Sequence, residues 1–284
     1  MSANNHPLER LSSLIEERGL IVIDNVTQLP AYGEPYVYPH LVICLCHKGW
    51  ARAEYDMTSI EFHAHDTAII FPNHILKSHE VSDDYEASLL VISAKFLKEL
   101  SLLHPNHYRV EYHYHPSYHL TDSQYECMNA CFRLLASISR LENPDRKDLL
   151  AEQMDMTARL VELFIRENGK MIIKKDAPVQ QLLARFHGAI AEHFRESREV
   201  KFYAKQLCLS PKHFGTVVRQ ATGTGAGEWI AHYVIAQAKH LLRHRPDLSI
   251  QQVSLLLGFS EQTAFTRYFK ANSGQTPKEY RETE

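Results

Sequence analysis

The sequence predicts an α+β chain. An antiparallel β-barrel comes first, a helical hairpin follows, and an all-α C-terminal domain of two helix-turn-helix units closes it. Three observations predict this. The first third is filled with short β-branched and aromatic runs separated by turn residues. Helix signals take over at Thr121, and no strand pattern returns after the hairpin. The last third repeats itself at a shift of 51 residues. With 284 residues, 44% of them hydrophobic and 23% charged, the chain can bury a core in each of two domains.

The strands are expected at Leu20–Ile23, Tyr36–Cys46, Ala51–Met57, Thr67–Phe71 and Ser88–Ile92. The stretches His47-Lys48-Gly49, Phe71-Pro72-Asn73 and Ser82-Asp83-Asp84 separate them as turns. Several short strands at close spacing favour an antiparallel barrel or sandwich. A short helix is expected at Ala94–Leu103 and a last strand at Arg109–His115. The barrel domain is therefore read as residues 1–119.

Residues 120–169 read as the hairpin. Thr121-Asp122-Ser123-Gln124 fits a capping box for a helix running to about Leu141. Asn143-Pro144 fits an N-cap followed by proline at the first helical position, opening a second helix that stops at Asn168-Gly169. Residues 170–178 lack helical patterning beyond Ile173 and read as a linker. From Val179 to the end the chain reads as helical, giving a C-terminal domain over 179–284.

In that domain Phe214, Val218, Arg219, Gly223, Glu228 and Trp229 pair with Phe265, Phe269, Lys270, Gly274, Glu279 and Tyr280 at a shift of 51. In the preceding helix Ala204 and Leu207 pair with Ser254 and Leu257 at a shift of 50. Each copy reads helix, tight turn, helix. Ser210-Pro211 opens the second helix of the first copy. In the second copy Ser249 and Gln252 form a capping box, Gly258 takes the left-handed turn, and Ser260 is expected to cap the following helix. The outward face of the first second-helix carries Lys212, His213, Gly215, Thr216 and Arg219. Its counterpart carries Gln262, Thr263, Thr266, Arg267 and Lys270. Such a face suits a major groove. Arg bonds guanine bidentately, Gln does the same with adenine, a Thr methyl meets the thymine methyl, and Lys or Arg reaches phosphates. A bundle with solvated polar faces remains the plain alternative.

Charge agrees in sign. Residues 180–284 hold 14 Lys+Arg against 9 Asp+Glu, whereas residues 1–179 hold 17 against 25. No apolar run approaches the roughly 18 residues of a membrane span. Met1–Arg10 lacks the apolar core of a secretory signal. Five cysteines without framework spacing point to a reducing cytoplasm.

The segment Ile250–Arg281 resembles the C-terminal signature of AraC/XylS-type transcription regulators. Gly258-Phe259-Ser260, Phe265, Arg267, Phe269-Lys270, Gly274, Pro277 and Tyr280-Arg281 carry the resemblance. It covers residues 180–284 strongly, and the N-terminal half only loosely, as a cupin-like sensor barrel with dimerising helices. It implies a non-enzymatic, DNA-binding regulator. Two helix-turn-helix units would sit on one helix over Glu228–Arg243, with their reading helices about 34 Å apart on duplex DNA. The implied site is Lys212, His213, Thr216, Arg219, Gln262, Thr263, Thr266, Arg267 and Lys270. The implied partners are double-stranded DNA, a small-molecule effector and a second copy of the chain, and RNA polymerase stays open as another. The sequence departs from the pattern at Gly215 and Thr216, which weakens the first reader. It departs again at Gly225-Ala226-Gly227, where the connecting helix is expected to fray.

The N-terminal half raises alternatives. His63-Ala64-His65 and His113-Tyr114-His115 would each place two imidazoles on one strand face. A metal-dependent cupin enzyme is the competing class, but the third and fourth ligands are not visible, and no metal, cofactor or catalytic residue is assigned. A third class is an interaction protein that no longer reads DNA. Cys44 and Cys46 share a strand face and Cys127 and Cys131 a helix face, all read as inert. The Tyr-rich segments read as barrel wall.

Overall fold

The computed structural model describes residues 11–29, 33, 35–103, 117–167 and 177–282. They form two compact units, described separately below. One holds the described residues up to 33, and 38–177. The other holds 178–282 together with 35–37.

The first unit opens with α1 (Ser12–Arg18) and β1 (Leu20–Val26), then β3 (Leu41–Lys48), β4 (Trp50–Tyr55), β5 (Thr58–His63), β6 (Asp66–Ile70), β7 (Ile75–Val81) and β8 (Glu86–Ile92). The short β2 (Tyr36–Val37) precedes β3 but clusters with the other unit. After β8 come α2 (Ala94–Leu103), β9 (Ser117–His119), α3 (Asp122–Ser139) and α4 (Arg146–Glu167). One sheet runs β1-β8-β3-β6-β9, all antiparallel. In the other, β4 pairs antiparallel with both β7 and β5. Asp56 and Met57, both at positive φ, close the β4–β5 hairpin in the two-residue form that matches strand twist.

The apolar run of β3 is explained by burial on both faces. Leu41, Ile43 and Leu45 join Phe96, Met128, Phe132, Leu150, Met154 and Phe164 in a core under the helices. Val42 and Cys44 point the other way, toward Ala53, Phe62 and Leu76 of the second sheet. Sheet on sheet and helices on sheet therefore share one strand. The hairpin is tied to the barrel by a polar chain as well. Tyr125 Oη lies 2.8 Å from His47 Nδ1, His47 Nε2 lies 2.8 Å from Ser88 Oγ, and Ser88 donates to Asp24 at 2.8 Å. Because Ser88 donates onward, it accepts from Nε2–H, and Nδ1 accepts from the tyrosine.

Several expectations needed correction. The expected strand Tyr36–Cys46 is interrupted at Tyr38–His40, where Pro39 has no N–H to give a ladder. β5, β7 and β9 were not expected; β5 is exposed at Thr58, Ser59, Glu61 and His63, and β7 turns polar after Ile75 and Leu76, so neither carries a continuous apolar run. The capping box at Thr121 is present, with Thr121 N–H on Gln124 Oε1 at 3.0 Å. At Asn143-Pro144 the chain makes an Asx turn, Asn143 Oδ1 accepting from Asp145 N–H at 2.8 Å, so α4 starts two residues beyond the proline. His63 ends β5, while His65 lies in the next turn at φ 68, so the pair does not share a strand face. His63 and His119 instead flank Asp66. Arg109–His115, with the second histidine pair, lies outside the described residues, as does most of the linker.

The second unit is helical apart from β2. It contains α5 (Ala177–His193), α6 (Val200–Gln206), α7 (Pro211–Thr222), α8 (Ala226–His244), α9 (Ile250–Leu256), α10 (Gln262–Ser273) and α11 (Pro277–Glu282). Phe214, Val218, Phe265 and Phe269, the apolar members of the repeat, are buried to zero exposure. Val217 is half-buried.

Candidate nucleic-acid interface

The repeat holds at the level of individual hydrogen bonds. In the first copy Leu209 N–H bonds Ala204 carbonyl at 2.9 Å; in the second, Phe259 N–H bonds Ser254 carbonyl at 3.0 Å. The left-handed turn residue is Cys208 at φ 59 in one and Gly258 at φ 77 in the other. Each second helix ends on a left-handed glycine, Gly223 or Gly274, whose N–H reaches Arg219 or Lys270 carbonyl at 2.9 Å. Thr222 Oγ1 donates toward the carbonyls of Val218 and Thr224, and Ser273 Oγ does the same toward Phe269 and Gln275. Gly225 and Thr276 N–H then bond the side chains of Glu228 and Glu279.

Caps decide where the second helix of each copy starts. Ser210 Oγ accepts from His213 N–H at 3.3 Å, with Pro211 at the first position of α7. The second helix of the second copy departs from expectation. Its N-cap is Glu261, not Ser260, and no side chain closes the cap. Glu261 accepts from Thr263 Oγ1 at 3.2 Å instead. The connecting helix α8 does not fray at its glycines. It begins at Ala226, which is buried, because Glu228 supplies the missing acceptor for Gly225 N–H at 3.4 Å.

Among the nine predicted residues, Lys212, His213, Thr216 and Arg219 are exposed on α7. On α10, Gln262, Thr263, Arg267 and Lys270 are exposed and Thr266 is half-buried. Positions 262, 263, 266, 267 and 270 lie on one helical face, opposite Phe265 and Phe269. The two faces are not equally ready to bind. Thr216 Oγ1 is turned back onto Lys212 carbonyl at 2.9 Å. Arg219 lies 3.8 Å from Glu228, an exposed pair of small energetic weight. The side chains of Arg267 and Lys270 form no hydrogen bond or ion pair within 4 Å among the described residues. Sequence reasoning passed over Glu261, whose carboxylate stands at the start of α10 and can accept from a cytosine amino group. It also passed over Arg195 and Arg198, which lie outside the repeat pattern.

Comparison with known proteins places this geometry. Residues 203–283 match the family described as a helix-turn-helix domain. The arabinose operon regulatory protein of Escherichia coli K12 is 33% identical over 93 residues, 32% of this chain and 32% of its own length. A helix-turn-helix domain thus occupies most of the C-terminal unit. The transcriptional activator RhaS of Escherichia fergusonii is 23% identical over 145 residues, 51% of this chain and 52% of its own. The alignments thus span from a third to about half the length of these curated relatives. Among solved structures, ToxT from Vibrio cholerae O395 aligns over 93% of this chain and 97% of its own, at 14% identity and a TM-score of 0.49. The DNA-binding domain of AdpA, solved with a target DNA, aligns over 37% of this chain and 89% of its own, at 28% identity and a TM-score of 0.31.

Proposed function

We propose that the chain is a transcription regulator that reads double-stranded DNA with α7 and α10, each lying in a major-groove segment. The observation that carries this reading is the twice-built helix-turn-helix unit, whose second helix buries its aromatic face and presents a largely exposed polar one. Arg267 is the principal base reader, Gln262 and Thr263 assist it, and Lys212, Arg219 and Lys270 hold phosphates. His213 and Thr216 contribute less, since the Thr216 hydroxyl is committed to its own helix.

The N-terminal unit is assigned to sensing and pairing. Its two sheets leave between them a space of about 20 Å³ whose wall, including Val42, Cys44, Ala68 and Leu89, is apolar. A space of that size holds about one water-sized group, so an effector would enter only as the sheets part, and its binding would shift the population of dimer or linker arrangements. Cys44 and Cys46 have no part in this beyond packing, since burial pushes both thiols up to about 12. Pairing with a second copy is supported by an apolar stripe on the hairpin. Leu149, Met156 and Leu163 recur every seven residues and are exposed, Met156 by 54%. Leu134 and Leu141 repeat that spacing after Cys127. No helix among the described residues is long and apolar enough to cross a membrane. The proposed setting is the cytoplasm, with RNA polymerase as the downstream partner.

The test is nuclease protection of DNA from the source genome by the full chain. The reading predicts protected segments on one DNA face, about 10 base pairs apart. An absence of protection at salt as low as about 50 mM, where phosphate contacts are strongest, refutes it.

A further inference from the structure

The loop between α5 and α6 belongs by its packing to the first reading unit. Tyr203 Oη donates to Ser197 carbonyl at 2.7 Å, and Tyr203 meets Phe186, which meets Phe214 of α7 edge-on at 4.9 Å. From this loop two arginines reach the turn of the second unit. Arg195 Nε donates to Leu256 carbonyl at 3.0 Å, and Arg198 Nη2 donates to Leu257 carbonyl. These are carbonyls at the C-terminus of α9, which the helix itself leaves without partners. The Arg198 guanidinium also lies over Phe259 at 3.7 Å and near Tyr268 at 5.9 Å. Phe259 in turn meets Phe265 and Tyr268 of α10. Backbone meets backbone at the same place. A side chain on Gly258 would come within 2.1 Å of Arg195 carbonyl oxygen.

This contact is no product of the repeat. At the shift of 50 that relates the first helices, Arg195 corresponds to Arg245 and Arg198 to Leu248. Arg245 is engaged with Asp247 at 2.6 Å. The second turn is therefore held from the first unit, while among the described residues no equivalent pair holds the first turn. Alongside α8, this gives the two reading helices a second mechanical link.

We propose that Arg198, with Arg195 beside it, is a positioning residue that fixes the separation between α7 and α10, and so the spacing of the two DNA elements the chain accepts. The inference rests on the DNA-reading function proposed above and adds a determinant of spacing to it. A side chain that merely steadied the turn would change affinity for every site alike. A clamp changes the preference among spacings, because a loosened second unit can follow an element displaced along the groove.

The experiment uses the full chain and a set of duplexes carrying its two selected elements at the preferred separation or shifted by one to three base pairs. Arg198→Lys keeps the charge and the aliphatic stem but loses the planar fork. Arg198→Ala removes both, and circular dichroism confirms that each variant is folded. The wild type is expected to prefer its best spacing by about tenfold or more. Arg198→Lys should flatten that preference to about threefold or less, while single-element duplexes bind within about twofold of wild type. Unchanged spacing preference in Arg198→Lys overturns the clamp and leaves the DNA reading intact. A wild type that binds none of the duplexes overturns the DNA reading, and the clamp's role with it.

Discussion

Replacing Gly258 by alanine puts a methyl group into the tightest contact between the two helix-turn-helix units. Two costs can be worked out. The residue sits at φ 77, where an L side chain costs about 1–2 kcal/mol. The new carbon would stand 2.1 Å from Arg195 carbonyl oxygen and 2.7 Å from its carbonyl carbon. A close carbon–oxygen contact is about 3.3 Å, so backbone must retreat by more than about 1 Å. Overpacking of that kind costs about 1–3 kcal/mol. Together these give about 2–5 kcal/mol, all of it in the C-terminal unit. Trp229 is buried in that unit, and Trp50 lies in the other. Urea unfolding followed by fluorescence in a Trp50→Phe background therefore reports on the affected unit alone. The counterpart Cys208 supplies the control. It holds φ 59 with its side chain exposed, so Cys208→Gly exchanges relief of backbone strain for a freer unfolded chain. Its net effect should stay within about 1 kcal/mol. A Gly258→Ala variant within about 1 kcal/mol of wild type refutes the tight docking of the second turn.

Other perturbations separate the roles given to single residues. Arg267→Ala should cost about 1–3 kcal/mol on the preferred site and relax discrimination at one base pair, whereas Lys270→Ala should weaken all sequences alike and lower the salt slope by about one; anisotropy titrations across salt distinguish them. Thr216→Ala should alter affinity by less than about 0.5 kcal/mol, and a larger loss would show that its hydroxyl leaves Lys212 carbonyl on binding. Met156→Glu on the exposed stripe should weaken self-association by about tenfold or more in sedimentation with helicity unchanged, and an unaltered association constant would remove the stripe from the interface. His240 is pushed down to about 4 by burial, with His244 adding to it. The folded state thus holds the neutral imidazole. Its contribution is complete above pH 6.5 and is lost as pH falls toward 4, by at most about 3 kcal/mol. His240→Leu should remove that part of the slope in the Trp229 unfolding assay, and an unchanged slope would contradict the assignment.

The C-terminal domain was readable because each of its elements is announced locally. Ser210-Pro211, the Ser249–Gln252 box and the glycines at 223, 258 and 274 act within four residues of themselves, and the structure uses all of them. The exposed faces followed from the same helical periodicity. What escaped was non-local. Arg195 and Arg198 look like solvated charges in a polar loop, and only the fold brings Leu256, Leu257 and Phe259 to them. In the barrel, β3 announced itself because both of its faces are buried, whereas β5 mixes exposed Ser59, Glu61 and His63 with half-buried Ile60 and buried Phe62 and reads as loop. Ser260 was a reasonable N-cap by type, but the helix starts one residue later, at a glutamate that local rules do not favour.

Selection from a random double-stranded pool at near-physiological salt tests the central claim most directly, run with the full chain and with residues 178–284. The account predicts enrichment of a site with two elements about one helical turn apart, the element read by α10 being the better defined. Enrichment by the shorter piece alone would mean that the N-terminal unit masks the reader until its effector binds. No enriched sequence from either protein would contradict the account.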